Sequence, residues 1–469
     1  FDGKLHLYAI SRLPGGHYRD IGGHAWTVRS ESSDHGVTWT DPVKTFADVD
    51  QAGVETFWGF WRITKHSAPS PDGGTKETLY ALGYDDGDVQ VGMFASDDGV
   101  HWTKRSVVID SYDDVPSEAE LQFFGPDQAT AVAIVRMDNQ GILQDGQSAI
   151  CTATQPFTTW ECGRRVEQRF DGPTWLSTDG GGGRRNFMIA RKHLPCTYKR
   201  TAVYELRGDL ADPSAPITVC EIEELPSAGD TAYTAVASLG GDRWLTSWYS
   251  SEVREGRDLA WLDGTYSPAD IWLAELDLSK APVDRCHPPP AKVACAAPPL
   301  PGGRLEDAST GDYFLSLAPV FYPSQTLIFR AHLEVQGDTV DLTLQPLAKE
   351  TGADVGGGAW QAHDASIDAQ GRFTATFERQ FLPLESFPLL EDPFLSLDGL
   401  VFRGALTSAD AFCGSISGVA QVYGTSPADR IDLEGSTFGA GRIVAGVNPP
   451  PTVGCTPPHG QPEQISQPL

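Results

Sequence analysis

The stretch SSDHGVTW, Ser32 to Trp39, returns as ASDDGVHW, Ala95 to Trp102, with Asp, Gly and Trp at matched offsets. A weaker copy, TATQPFTTW, ends at Trp160. The three tryptophans stand 63 and then 58 residues apart, the size of a four-stranded sheet with generous loops, so the chain reads as a repeat architecture. Within each copy the expected chemistry is structural: Asp accepts backbone donors across a tight turn, Gly supplies a positive φ, and Trp packs between neighbouring sheets. The composition agrees. Punctuation by 49 Gly and 34 Pro, with 12 Trp, 13 Tyr and 21 Phe, favours pleated surfaces and excludes an all-helical bundle.

The 35 Lys+Arg against 63 Asp+Glu leave a formal charge of −28, a field that repels phosphate backbones and anionic membrane surfaces. Nucleic acid is therefore excluded as a partner, and an anionic sugar can bind only where arginines converge. No run of about 18 apolar residues occurs, so membrane insertion is not expected. Eight cysteines occur without a C-x-x-C pair and read as an oxidising compartment, with bonding expected between sequential partners: Cys151–Cys162, Cys196–Cys220, Cys286–Cys295 and Cys413–Cys455. The chain begins at Phe1 and is read as a processed or trimmed product. His17, His24 and His35 lack metal spacing, and no metal or cofactor is expected.

The proline-dense segment SKAPVDRCHPPPAKVACAAPPLPGG, Ser279 to Gly303, cannot supply ladder donors and is read as a linker. Residues 1–278 form the repeat domain before it. Residues 304–447 follow, with the alternating stretches TLIFRAHLEV, VDLTLQPL, GRFTATFE and ISGVAQVYG that suit an antiparallel sandwich or small barrel. Residues 448–469 are Pro- and Gln-rich and read as an extended tail.

Ser32-Asp34-Gly36-Thr38-Trp39 resembles the Asp-box, or BNR repeat, S-x-D-x-G-x-T-W, of sialidase-like β-propellers. The second copy departs from that pattern at Ala95 and His101. FWGFWRI, PSEAELQFF, AVAIVRMD, QPFTTW, DGPTWL, FMIARKH, LPSAGDTAYTAV and WLTSWYSSE are similar to a bacterial branch of the same superfamily, over roughly residues 1–278. The resemblance implies an all-β chain: a five-bladed propeller, six-bladed if extra short strands exist, and then the β-sandwich or small barrel. A late strand such as DIWLAELDL, Asp270 to Leu278, is expected to close the ring against the N-terminal one. An Asp-box marks the fold and not the activity, so Asp34 and Asp97 are read as structural.

Four hairpins align through their turns. Arg62 precedes PDGG and a return strand ending near Tyr84; Glu118 precedes GPDQ and a return ending at Arg136. Gly172 and Pro173 precede DGGGG and a return ending at Arg191, and Tyr233 precedes GGD and a return ending at Tyr249. Both ends of a hairpin lie at one edge of its sheet, and propeller sheets are radial. Arg62, Glu118, Arg136, Arg191, Asp230, Tyr233 and Tyr249 are therefore expected as neighbours at one mouth of the channel.

The resemblance assigns roles to that set. Arg62, Arg136 and Arg191 would clamp a substrate carboxylate, a local positive spot in a negative field. Glu118 would activate Tyr233 for attack on the anomeric carbon, and Asp230 or Tyr249 would orient substrate. Glu120 competes with Glu118, which is preferred because it holds the position matching the family motif. The family opens with an R-I-P motif before a D-G-x-L strand, and FDGKLHLYAI resembles that later strand, with Arg12 following it. This implies a motif arginine, and an acid/base aspartate, upstream of Phe1, with Asp20 an available acid.

Two functions follow. One is a secreted, sialidase-like glycoside hydrolase acting on an acidic glycan at the propeller mouth. The other is a non-catalytic propeller binding carbohydrate or protein at a bacterial cell surface, with the C-terminal domain as anchor or second binding module. Glycan or glycoconjugate is the expected partner in the first, and a cell-surface protein is added in the second. Tyr233 within reach of Glu118 or Glu120 beside converging arginines favours the enzyme; arginines engaged in structural ion pairs favour binding.

Overall fold

The computed structural model describes residues 3–12, 25–45, 48–49, 55–56, 58–69, 74–85, 89–125, 127–138, 146–179, 183–251, 259–289, 295–303, 310–356, 358–386, 395–422 and 429–455. Two compact units divide the chain: Phe1–His193, Lys199–Arg257 and Pro268–Ala291 form the first, and Leu194–Tyr198, Asp258–Ser267 and Lys292–Leu469 the second.

The first unit is a five-bladed β-propeller. Strands β1 (Leu5–Arg12), β2 (Ala25–Ser32) and β3 (Val43–Lys44) make a three-stranded sheet, and β4 (Asp48–Val49) pairs with β5 (Glu55–Thr56) in a short ladder. Four-stranded sheets follow: β6 (Gly59–Pro69), β7 (Thr75–Asp85), β8 (Gln90–Ser96) and β9 (Thr103–Asp110); β10 (Pro116–Phe124), β11 (Thr130–Met137), β12 (Ser148–Thr154) and β13 (Glu161–Val166); β14 (Asp171–Thr178), β15 (Arg185–His193), β16 (Lys199–Arg207) and β17 (Thr218–Leu225). The fifth sheet has β18 (Thr231–Gly240), β19 (Arg243–Ser251) and β20 (Ala269–Asp277). Each is an antiparallel meander in chain order. Strands such as β11 read as continuous apolar runs because both faces are covered by neighbouring blades.

Four apolar clusters bind successive blades. Tyr8 packs with Trp58, Phe60, Phe94 and Trp102 between the first and second. Leu82 and Met93 meet Leu121, Ala133 and Phe157 between the second and third. Val132 and Ile150 meet Trp175, Met188 and Tyr204 next, and Phe187 and Ile189 meet Trp248, Trp272 and Leu276 last. The first strands of four sheets, β6, β10, β14 and β18, lie nearest the axis, and Arg62 of β6 reaches Thr174 of β14. Each shifts register near its start, between Phe60 and Arg62, Pro116 and Ala119, Asp171 and Thr174, and Ala232 and Ala235. A bulge re-aims side chains, and these four sit at one mouth of the channel.

The repeated turn caps itself as expected, with one correction of register. Asp34 accepts from the Thr38 amide at 2.9 Å and hydroxyl at 2.6 Å, and Ser32 Oγ accepts from the Gly36 amide at 2.8 Å. Thr38 hydrogen bonds to side chain and backbone, with Ser32, hold Asp34 down at about 2. In the second copy Ser96 and Asp98 fill these places, not Ala95 and Asp97: Asp98 accepts from the Val100 and His101 amides at 2.8 Å. The turn is one residue shorter there, so Asp97 is freed to pair with Lys76 and Thr78. Trp39 and Trp102 each donate to the glycine carbonyl three residues back, Gly36 and Gly99.

Two other expectations are corrected. The strand expected to close the ring is β20, and among the described residues it pairs with β19 and not with β1, because the fifth sheet lacks a third strand of its own until the chain returns from residues 252–268. Disulfides join Cys151–Cys162 and Cys413–Cys455 as expected, but the middle four are nested, Cys196–Cys295 and Cys220–Cys286. After β20 the chain runs back along β17, where Glu221 bridges His287, and this carries Cys286 to Cys220 with Cα atoms 4.9 Å apart. Cys196 is left to its own unit, where it meets Cys295. Four disulfides fit an extracellular protein. No helix among the described residues is long and apolar enough to cross a membrane.

The second unit is one ten-stranded sheet built from β21 (Gly311–Ala318), β22 (Leu327–Gln336), β23 (Thr339–Pro346), β24 (Trp360–Ser366), β25 (Arg372–Phe377), β26 (Gln380–Leu382), β27 (Leu395–Ser408), β28 (Ala411–Val422), β29 (Asp429–Asp432) and β30 (Ser436–Arg442). Its path runs β24-β23-β22-β21-β30-β28-β27-β25, and an Ile367–Phe373 bridge draws the two ends together into a nearly closed barrel. Alternation puts Phe329, Phe377, Phe402 and Phe438 inside.

The register correction is testable by paired substitution. Asp98→Ala should cost about 1 kcal/mol more than Asp97→Ala in urea unfolding, since it strips two capped amides where the other loses an exposed ion pair. Equal costs would return the cap to Asp97.

Candidate functional site

Six of the seven residues expected at the mouth, all but Arg62, form one network of hydrogen bonds and ion pairs, joined through Asp171. The Tyr233 hydroxyl donates to Glu118 Oε1 at 2.7 Å. Glu118 Oε2 accepts from the Gly172 amide at 2.6 Å and faces Arg136 Nη1 at 3.0 Å. Arg191 donates to Asp230 at 2.8 Å, to the Tyr249 hydroxyl at 3.1 Å and to the Thr231 carbonyl at 2.7 Å. Tyr249 donates in turn to Asp230 at 2.8 Å. The Tyr233 ring stacks on Tyr249 at 5.8 Å, packs against Trp61 at 5.3 Å and has the Arg191 guanidinium 5.5 Å from its centroid.

The bulges explain these directions. Ala232 and Tyr233 have φ of 119° and 47°, left-handed values that L-residues avoid, and together they turn the tyrosine off the ladder toward β10. Tyr233 stays 43% exposed although its hydroxyl is held inside. Gly172, at φ +59°, lets β14 come close: a Cβ there would stand 3.0 Å from both Tyr233 Cδ1 and its amide nitrogen. Glu118 lies within the β10 bulge and Glu120 after it, and the two serve different partners, Arg136 and Arg62.

Arg62 is not part of this network. It crosses the axis to the Pro173 carbonyl at 3.2 Å, Thr174 Oγ1 at 2.6 Å and the Thr234 carbonyl, and its Nε lies 2.5 Å from Glu120. Each of the three arginines expected to clamp a carboxylate is met by protein groups, because a guanidinium taken out of water needs an anion beside it. Arg136 answers Glu118, Asp138 at 2.8 Å and Asp171 at 3.1 Å, and Arg191 answers Asp230 and Asp171. Burial opposes the charge of Arg136, but Asp138, Asp171 and Glu118 hold its pKa well above the ordinary value. Burial likewise opposes Arg191, and Tyr249 and Asp230 lead the groups that raise it. The positive spot is thus compensated by protein carboxylates.

Residues unmarked by the sequence reading supply that compensation. Asp171, buried, faces Arg136, Arg169 at 2.5 Å, His193 at 3.0 Å and Arg191 at 3.7 Å. Burial pushes its carboxyl up, yet Arg136, Arg169 and His193 hold it well below the usual range. Burial and the neighbouring Lys199 push His193 well down, so it is neutral; Lys199 donates to its Nδ1 at 2.5 Å, which leaves Nε2–H to donate to Asp171. The available signal was DGP opening an apolar strand, which places Asp171 one residue before the aligned Gly172. Arg12 lies at the end of β1 without a described side chain, and Asp20 lies outside the described residues.

Chemically, the arrangement offers a phenol and a base. Burial first, then Glu118, raises the Tyr233 pKa well above its ordinary value, with Arg191 and Arg136 pulling the other way. The Tyr233 hydroxyl is therefore protonated at pH 7 and donates to Glu118.

No family model matches the sequence, and no curated protein matches it. Among solved structures, a glycoside hydrolase family 32 protein from Bifidobacterium adolescentis aligns over 94% of this chain and 76% of its own at 11% identity, with a TM-score of 0.38. An exo-inulinase from Aspergillus awamori covers 94% and 92% at 11% identity and TM-score 0.37. The intramolecular trans-sialidase from Ruminococcus gnavus covers 56% and 52% at 12% identity and TM-score 0.37. At this level of likeness, the fold and the site rest on the chain's own strands and side chains.

Two measurements probe the geometry. Gly172→Ala should destabilise the fold by about 1–3 kcal/mol in urea, with the tyrosine forced off Glu118; a neutral effect would mean the close approach is not required. Glu120, buried, is pushed up to about 7 by desolvation despite Arg62. A raised carboxyl binds its proton more tightly folded than unfolded, so its contribution is full below about pH 4.5 and is lost as pH rises through 7. The pH 5 to pH 8 fall in unfolding free energy should shrink by on the order of 1–3 kcal/mol in Glu120→Gln. An unchanged fall would assign it elsewhere.

Proposed function

We propose that the protein is an extracellular glycoside hydrolase of the sialidase type, working through a tyrosine nucleophile at the propeller mouth. The observation that carries this reading is the 2.7 Å hydrogen bond from Tyr233 to Glu118 on a half-exposed ring, with Glu118 oriented by the Gly172 amide and Arg136. In the first step the Tyr233 oxygen bonds to the anomeric carbon, its proton passes to Glu118 Oε1, and the glycosidic C–O bond breaks with the leaving oxygen taking a proton from an acid. Water then attacks the same carbon as its proton passes to the conjugate base of that acid, and Tyr233 leaves as the phenol with the proton that Glu118 returns. A protonated, buried phenol suits this cycle because it is a better leaving group from carbon than an aliphatic alcohol and is inert until its base is engaged. Asp230 and Tyr249 line the same mouth and would orient the sugar, and the Asp-box-like turns resemble those of sialidase propellers.

A second reading has its own observation: Arg62, Arg136 and Arg191 are all engaged by protein groups, which suits a glycan-binding propeller without turnover. Under the enzymatic reading, an acidic sugar must compete with Asp230 for Arg191, the arginine nearest the exposed tyrosine.

A panel of fluorogenic glycosides that includes sialosides separates the two. The wild type should turn over at least one, and Tyr233→Phe should lower kcat by about 10²-fold or more with little change in affinity, since the ring stays and only the attacking hydroxyl goes. Full turnover in Tyr233→Phe would remove the nucleophile assignment, and glycan binding without turnover of any glycoside by the wild type would install the second reading.

A further inference from the structure

The innermost strands that carry the tyrosine network at one mouth of the channel enclose a second space toward their other ends. It is a polar cavity of about 220 Å³, lined by Lys65 of β6, Gln122 of β10, Gln128 of the turn that follows, Ser177 of β14, and Asp179 and Arg184 of the turn after β14. Gln122 stands two residues beyond Glu120 on β10, so the Arg62–Glu120 pair lies between this cavity and Tyr233. Arg184 differs from the arginines of the tyrosine mouth. Arg62, Arg136 and Arg191 are each met by a carboxylate, whereas among the described residues no carboxylate forms an ion pair with Arg184. Its guanidinium lies over the Phe124 ring at 4.2 Å, and it donates to the Phe123 carbonyl and Ser177 Oγ at 3.0 Å and to Gln122 Oε1 at 3.4 Å. Burial pulls its pKa down, and the charge of Asp179 opposes that. A guanidinium has more N–H donors than these acceptors use, so some remain for a guest.

The other polar groups are held in place as well. Gln128 has a left-handed backbone at φ 50°, its carbonyl oxygen lies 3.0 Å from His66 Nε2, and its Oε1 accepts from the Ser67 amide at 2.9 Å, which leaves the side-chain NH2 to donate. Asp179 has no hydrogen bond or ion pair among the described residues, so its carboxylate is an acceptor still without a donor. We infer that this far mouth binds one neutral sugar ring of a glycan, with Asp179 accepting from its hydroxyls and Arg184 and Gln128 donating to them. The mixture of signs decides the class. A simple anion would meet Asp179 inside a protein of charge −28, and a simple cation would meet Arg184 and Lys65. Sugar hydroxyls both donate and accept, so neighbouring ones satisfy a carboxylate and a guanidinium together without bringing a charge. Size agrees: the cavity is smaller than the roughly 300–1,000 Å³ of sites for drug-sized ligands and suits a single ring. Asp179 is the one carboxylate among the described residues that line it, and glycoside cleavage calls for a pair, so the sugar is bound here and not cleaved. The site shares no residue with the tyrosine network and does not rest on the hydrolase reading.

The test is saturation-transfer NMR and titration of the whole chain with the methyl glycosides of glucose, galactose, mannose and N-acetylglucosamine, and with methyl glucuronide as the acidic counterpart. At least one neutral glycoside should bind saturably. Asp179→Asn and Arg184→Gln should each weaken that binding by about tenfold or more, and Tyr233→Phe should leave it unchanged. Asp179 is exposed and its amide keeps the same shape, so that variant reports on the site without disturbing the fold. Binding through Asp179 by a wild type that turns over no glycoside would support this site while the hydrolase reading fails. No binding of any neutral glycoside, binding that survives both variants, loss of binding in Tyr233→Phe, or tighter binding of methyl glucuronide than of methyl glucoside would each overturn the inference.

Discussion

Asp171 is the point on which the mouth of the propeller depends. A carboxylate removed from water must be answered by cations, and four nitrogen-bearing side chains from two blades answer this one: Arg136, Arg169, His193 and Arg191. Arg136 and Arg191 are in turn the residues that fix Glu118 and Asp230. Removing one member of such a buried set leaves an uncompensated charge, at a cost of about 3–5 kcal/mol, so the cluster holds its geometry against the pull of any single ligand. The consequence is that the arginines serve first to place acidic groups, and under the proposed function a substrate would have to compete for them.

The second constraint is the backbone irregularity repeated at the start of β6, β10, β14 and β18. A regular strand sends alternate side chains to opposite faces, toward the neighbouring blades, and none toward the axis. Bulges break that alternation where the strands reach the mouth. Tyr233 takes a left-handed conformation to do so and Gly172 supplies the room, so the nucleophile candidate and its base meet across two blades instead of pairing along one.

Much of this was legible in the residues. The spacing of Trp39, Trp102 and Trp160 marks the blade repeat, and aligning the hairpins by their turns puts Glu118, Arg136, Arg191, Tyr233 and Tyr249 at one mouth. What stayed hidden is what pairing decides. Nothing in the sequence says that Arg62 faces Glu120 or that Asp171 answers three guanidiniums and an imidazole, because partners distant along the chain meet only after the blades stack. The nesting of Cys196, Cys220, Cys286 and Cys295 was illegible for the same reason: sequential pairing assumes hairpins, and the chain returns along β17 after a whole blade has intervened. The one-residue shift from Asp97 to Asp98 turns on a turn length that the adjacent Asp97 and Asp98 conceal.

The central claim is that Tyr233, deprotonated by Glu118, bonds covalently to a sugar. Incubation with an activated glycoside of whichever sugar is turned over, fluorinated on the carbon next to the anomeric one, followed by peptide mass spectrometry, reads that bond directly. The account predicts one glycosyl adduct, on the peptide that carries Tyr233, and its absence in Tyr233→Phe. An adduct on Glu118, on Glu120 or on any other residue, with Tyr233 unmodified, would contradict it.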